Sequence, residues 1–145
     1  MATVKEARLH ITSTIENLDA AGLPEGETEK NETRAVGYLH LIDGTVLLTY
    51  KEEQEGGSIT TEVKYSDGRA RVIRHGALES DIEFAEGTSH SSVYAVGPYK
   101  FDIDVNTKKI RCTLSECGGR LDLIYDMKIG GAQKSARMRI EVSTD

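Results

Sequence analysis

Along this chain, short segments alternate apolar and polar side chains one after another, almost from end to end. Phe101, Ile103 and Val105 form one such set. Ile110, Cys112 and Leu114 form the next, followed by Leu121, Leu123, Tyr125 and Met127, and then by Met138, Ile140 and Val142. A period of two places each set on one face of a strand. Turn residues recur at intervals of roughly 8–12 positions, the spacing of an all-β sandwich or barrel. About ten strands are predicted and no amphipathic helix.

Several pairings can be read in detail. The first strand runs from near Val4 to Leu18, with Leu9, Ile11 and Ile15 on one face, and an irregular acidic stretch from Asp19 to Glu32 reads as a loop crossing one end of the molecule. Asp43-Gly44 suits a two-residue hairpin turn, whose central positions both need positive φ. That turn sets Ile42 opposite Thr45, Leu41 opposite Val46, Leu39 opposite Leu48, Gly37 opposite Tyr50 and Ala35 opposite Glu52. A slip of one residue would turn the apolar set to the wrong side. The hairpin through Gly76, Ala77 and Leu78 pairs Ala70 with Phe84, Val72 with Ile82 and Arg74 with Ser80. On its other face Arg71 meets Glu83 as a cross-strand ion pair. Further turns are expected at Gly87, Asn106-Thr107, Gly118-Gly119 and Gly130-Gly131.

Consecutive strands joined by short turns make an antiparallel meander. With no helix to cover it, the apolar face must close on itself or against a second sheet, and closure into a barrel is the simplest answer. The fold class is therefore all-β, a closed up-and-down antiparallel barrel of about ten strands, sealed by pairing of the first and last. The chain of 145 residues is read as one domain, residues 1–145. It is long enough to bury about two-thirds of its unfolded surface without a metal or disulfide.

Composition removes several function classes. A net charge of −6 gives no reason to expect nucleic acid or an anionic membrane as partner, and the longest apolar run is too short to span a bilayer. The amino terminus shows no apolar signal core, so a cytoplasmic protein is expected, with Cys112 and Cys117 as reduced thiols. His10, His40, His75 and His90 are scattered without metal-ligand spacing, so no metal or other cofactor is expected.

The stretches Tyr50-Lys51-Glu52-Glu53, Arg74-His75-Gly76, Gly118-Gly119-Arg120 and Tyr125-Asp126-Met127 together resemble the YwiB-like family of bacterial β-barrel proteins. The likeness covers nearly the whole chain. It implies a closed meander barrel of the calycin or lipocalin-like kind, and it implies no particular biochemical activity.

Candidate chemistry gathers on the inward face. By the registers above, Glu52 and Arg74 point inward, where an isolated charge is prohibitive unless paired or hydrated. They read as a polar anchor in a ligand cavity or as a structural ion pair near the rim. Tyr50, Tyr65, Tyr94 and Tyr125 also point inward, as pocket lining or as core. Ser13, Ala35, Gly37, Thr61, Ala70, Ser80, Ser92 and Ala136 are small inward residues. They either leave a cavity or pack against larger partners.

Elsewhere the surface reading prevails. Arg137 and Arg139 alternate with Ala136, Met138 and Ile140, so both face solvent, where salt bridging is their expected role. Asp81 with Glu83, and Asp102 with Asp104, line outer faces, where the raised pKa of an acid catalyst is not expected. No nucleophile, base and orienting group converge, so an enzyme is not expected. The leading reading is a binder of a small, partly apolar or anionic ligand, with Tyr50, Glu52, Arg74, Tyr94 and Tyr125 lining the site. The alternative is a filled barrel acting as an interaction module or homodimer. Its candidate interface is the outer apolar patch of Val36, Tyr38, Ile42 and Leu47, unless the Asp19–Glu32 stretch covers that patch.

Overall fold

The structure, a computed structural model, describes residues 2–144. Its strands are β1 (Ala2–Leu18), β2 (Glu29–Ile42), β3 (Thr45–Gln54), β4 (Gly57–Ser66), β5 (Arg69–Gly76), β6 (Leu78–Ala85), β7 (Ser89–Val96), β8 (Tyr99–Cys112), β9 (Gly118–Ile129) and β10 (Ala132–Ser143). Each pairs antiparallel with its sequence neighbours. β1 also pairs β10, from Arg8↔Ser143 to Leu18↔Gln133, so the sheet closes. Closure pairs every strand on both sides over at least part of its length.

The hairpin registers follow the turn chemistry. Asp43 and Gly44 both take positive φ, and Ile42↔Thr45, Leu41↔Val46, Leu39↔Leu48 and Gly37↔Tyr50 pair as expected. Ala70↔Phe84, Val72↔Ile82 and Arg74↔Ser80 do so as well.

Four details differ. The β2–β3 ladder stops at Gly37↔Tyr50, so Ala35 and Glu52 do not pair. Gly37 lies so close to β3 that a Cβ there would sit 2.0 Å from the Thr49 carbonyl oxygen. Above this tight crossing β2 continues on β1 alone and β3 on β4 alone. Second, Asn106-Thr107 is not a turn. β8 runs straight through it, with a bulge between Thr107 and Lys109. One extra residue reverses the alternation, which is why Val105 and Ile110 both face inward although their numbers differ in parity. Third, Arg71 stands opposite Glu83 but bonds diagonally to Asp81, with Nε to Oδ1 at 2.8 Å. Finally, two bounds move: Gly118 and Gly119 belong to β9, so the turn before it falls at Glu116-Cys117, and Glu29–Glu32 belongs to β2, so the irregular loop is 19–28. Asp19 Oδ1 caps it by accepting the N–H groups of Ala21 and Leu23.

Because direction alternates, the turns fall on two rims. The β2–β3, β4–β5, β6–β7 and β8–β9 turns form one rim, and the 19–28 loop with the other four turns forms the second. Toward the first rim the interior is solid. Leu39, Leu48, Leu121, Leu123 and Ile140 are fully buried there. Toward the second rim polar side chains join the apolar ones on the inward face, and the interior opens.

Candidate functional site

The open end is a cup of about 350 Å³ to which all ten strands contribute lining. That volume lies in the range of small-ligand sites. A larger depression of about 660 Å³ lies outside the barrel wall against β1, β8, β9 and β10. It is bordered by side chains such as Lys108, Asp126 and Lys134 and shares only Met127 with the cup.

One cross-strand row supplies Tyr50 and Arg74 to the cup. Gly37, Tyr50, Thr61, Arg74 and Ser80 stand opposite one another on successive strands β2 to β6. Residues directly opposite across a ladder share a face, so the row shows that face to the interior. Small residues at Gly37, Thr61 and Ser80 make room for the long Tyr50 and Arg74. Across the cup, Tyr125 of β9 packs edge-on against Phe84, with ring centroids 4.9 Å apart. Tyr94 of β7 completes the wall, and Ile11, Ile82, Ile103 and Met138 supply apolar area.

All five expected site residues, Tyr50, Glu52, Arg74, Tyr94 and Tyr125, thus line one cavity. Tyr65 does not join them. It pairs with Val46 and Ala70 near the closed end. Nor are Glu52 and Arg74 an ion pair. Among the described residues no carboxylate lies within 4.0 Å of the Arg74 guanidinium. Glu52 Oε2 instead accepts a long bond, 3.3 Å, from Gln54 Nε2.

The hydroxyls of the row carry the strongest chemical signal. Tyr50 Oη, Thr61 Oγ1 and Ser80 Oγ are buried without a well-formed hydrogen bond, and so is Thr107 Oγ1, whose residue pairs with Tyr125. A buried polar group left unsatisfied costs about 1–3 kcal/mol. Burial raises the Tyr50 and Tyr125 pKa values, and the Arg74 charge opposes the rise at both hydroxyls. Thr61 is close enough to Tyr50 to oppose it slightly as well. The guanidinium therefore acts on tyrosines from both walls of the cup.

Thr61, Ser80 and Thr107 are the members that sequence reasoning did not assign to a site. Thr61 and Ser80 were recognisable as inward, and their row becomes visible once the Tyr50 and Arg74 registers are joined. Thr107 was hidden by its turn-like neighbourhood. Among the described residues no group of three His, Cys, Asp or Glu side chains is placed to hold a metal.

The outer surface settles another point. Val36, Tyr38 and Ile42 are exposed and Leu47 partly so; the 19–28 loop does not cover them. Val4 of β1, opposite His40, extends the patch.

These features define a class: a closed ten-stranded antiparallel meander barrel, packed at one end and hollow at the other. The chain belongs to the family described as a domain of unknown function, DUF1934, which matches residues 16–142. It is 32% identical over 126 residues to the uncharacterized β-barrel protein YwiB of Bacillus subtilis, covering 87% of this chain and 84% of that one. The crystal structure of the ywiB protein from Bacillus subtilis superposes with a TM-score of 0.80 at 30% identity, covering 97% of this chain and 94% of the other.

Proposed function

We propose that the barrel is a non-catalytic binder of one small ligand, partly apolar and bearing an anionic group, held in the open cup. One observation carries this reading. Arg74, which among the described residues has no carboxylate within 4.0 Å, lines the same cavity as the hydroxyl-bearing Tyr50, Tyr94 and Tyr125. A carboxylate entering the cup would receive charge-assisted bonds from Arg74, with tyrosine hydroxyls on either side. Its apolar tail would lie along the isoleucine and methionine wall. Closed meander barrels of the calycin kind hold single ligands in this manner, and the two free cysteines suit a reducing, cytoplasmic setting.

Native mass spectrometry of the freshly purified full chain, followed by titration with octanoate, tests the proposal. Octanoate should bind with one equivalent. Arg74→Gln should weaken it about tenfold or more, while Thr61→Val, which only lines the row, should weaken it less. Octanoate binding that is absent, or indifferent to Arg74→Gln, would overturn the reading.

A second reading is supported by the exposed patch of Val4, Val36, Tyr38 and Ile42 on adjoining strands. Contiguous apolar surface of this kind suits self-association. Light scattering should then show a dimer that Tyr38→Glu dissociates; a monomer at all concentrations rejects this reading.

A further inference from the structure

The outer wall of β8, β9 and β10 carries a cluster of charge opposite in sign to the rest of the protein. Two rows cross it. In one, Lys109 and Arg137 flank Ile124; in the next, Arg111 and Arg139 flank Asp122. Arg120, two residues before Asp122, adds a fifth cation. These side chains line a shallow cleft of about 190 Å³.

Asp122 organises the cluster. Its carboxylate is nearly buried, and its two oxygens hold Arg139 Nε at 2.8 Å and Arg120 Nε at 2.9 Å. Among the described residues that is the only acidic group lining the cleft. Lys109, Arg111 and Arg137 are exposed, and among the described residues no carboxylate lies within 4.0 Å of them. Three further cations therefore ring a triad of two arginines and one carboxylate, itself still net positive, on a chain of net charge −6.

The surroundings limit the size of what can dock. Toward the open rim the same wall carries Asp102, Asp104 and Asp126. Toward the closed rim stand Glu116 and Glu141, and Glu86 accepts the Ile110 N–H at the side. A long polyanion crossing the wall would run into these carboxylates. Strand spacing makes the basic area about 10 Å wide, and two residue steps make it about 7 Å tall. No aromatic ring lies in the cleft to stack a base. Arginine forks match phosphoryl oxygens two at a time.

We propose that this cleft is an anion site for a compact oligophosphate of two or three linked phosphoryl groups, separate from the cup. Lys109, Arg111 and Arg137 bind its oxygens. Asp122 holds Arg120 and Arg139 in place and keeps the cluster from repelling itself apart.

Isothermal titration calorimetry with inorganic tripolyphosphate on the full chain tests it. Saturable binding with one equivalent is expected, weakening as salt rises. Arg111→Gln and Arg137→Gln should each weaken it about tenfold. Both side chains are exposed, and circular dichroism should show the fold unchanged. Arg34→Gln, on β2 beyond His10 and Glu141, and Arg74→Gln, in the cup, should leave it unaltered, so this site and the cup stand or fall separately. Absence of saturable binding, equal loss in Arg34→Gln, or tighter binding of a short RNA or a polyglutamate peptide at the same arginines would overturn the proposal.

Discussion

A guanidinium inside a barrel is tolerated only where something solvates it, and Arg74 shows how that is arranged. Its row neighbours Thr61 and Ser80 are short enough to leave space, and their own hydroxyls remain unsatisfied. The tyrosines report the same environment. Burial raises the pKa of Tyr50 and Tyr125 above the ordinary value of about 10. Below that pH the tyrosines are protonated in both states and their contribution to stability is complete. Above it the unfolded chain ionises first, so stability falls with rising pH until the folded tyrosines ionise too. Urea midpoints measured between about pH 9 and 11.5 should therefore drop, and the drop should shrink in Tyr50→Phe/Tyr125→Phe. An identical decline in the double variant would show that these hydroxyls do not titrate abnormally.

Within single elements, most of the architecture was legible. Asp43-Gly44 set the β2–β3 register down to Tyr50 because the turn and the apolar alternation agree. Alternation alone failed where the backbone departs from a regular ladder. The Thr107/Lys109 bulge imitates a turn, since both interrupt a period of two. The parting of β2 from β3 above Gly37 leaves no mark in the alternation, for each strand keeps its other neighbour. Glycines mark such places. Gly76 holds φ at +118°, and a Cβ there would lie 2.1 Å from the Ser58 carbonyl oxygen. Gly76→Ala should cost about 1–3 kcal/mol from backbone strain, and more if β4 and β5 must separate. Chemical denaturation measures this; a change below about 0.5 kcal/mol would mean the hairpin adapts freely.

At the scale of the molecule, the two ends of the barrel divide the work. Leu123, fully buried among the aliphatics of the closed end, should cost about 2–5 kcal/mol as Leu123→Ala. Octanoate affinity of the folded fraction should not change. Loss of both in proportion would mean that the cup and the packed end are not separable. The gradient behind this division is written along individual strands. On β3 the inward residues run Val46, Leu48, Tyr50, Glu52, from aliphatic to charged. That order was visible, and it placed Tyr50 and Glu52 on the interior face, as the alternation of β5, β7 and β9 placed Arg74, Tyr94 and Tyr125.

The amino-acid order alone was enough for strand number, the registers beside the Asp43-Gly44 and Gly76 turns, closure and which side chains look inward, because these depend on local turn chemistry and on a period of two. It could not say that the interior is filled at one end and hollow at the other. Nor could it say that Glu52 and Arg74 stand apart, or that five cations from β8, β9 and β10 meet on one outer face. Those facts depend on distances between strands far apart in the chain, which exist only once the wall has curled and sealed.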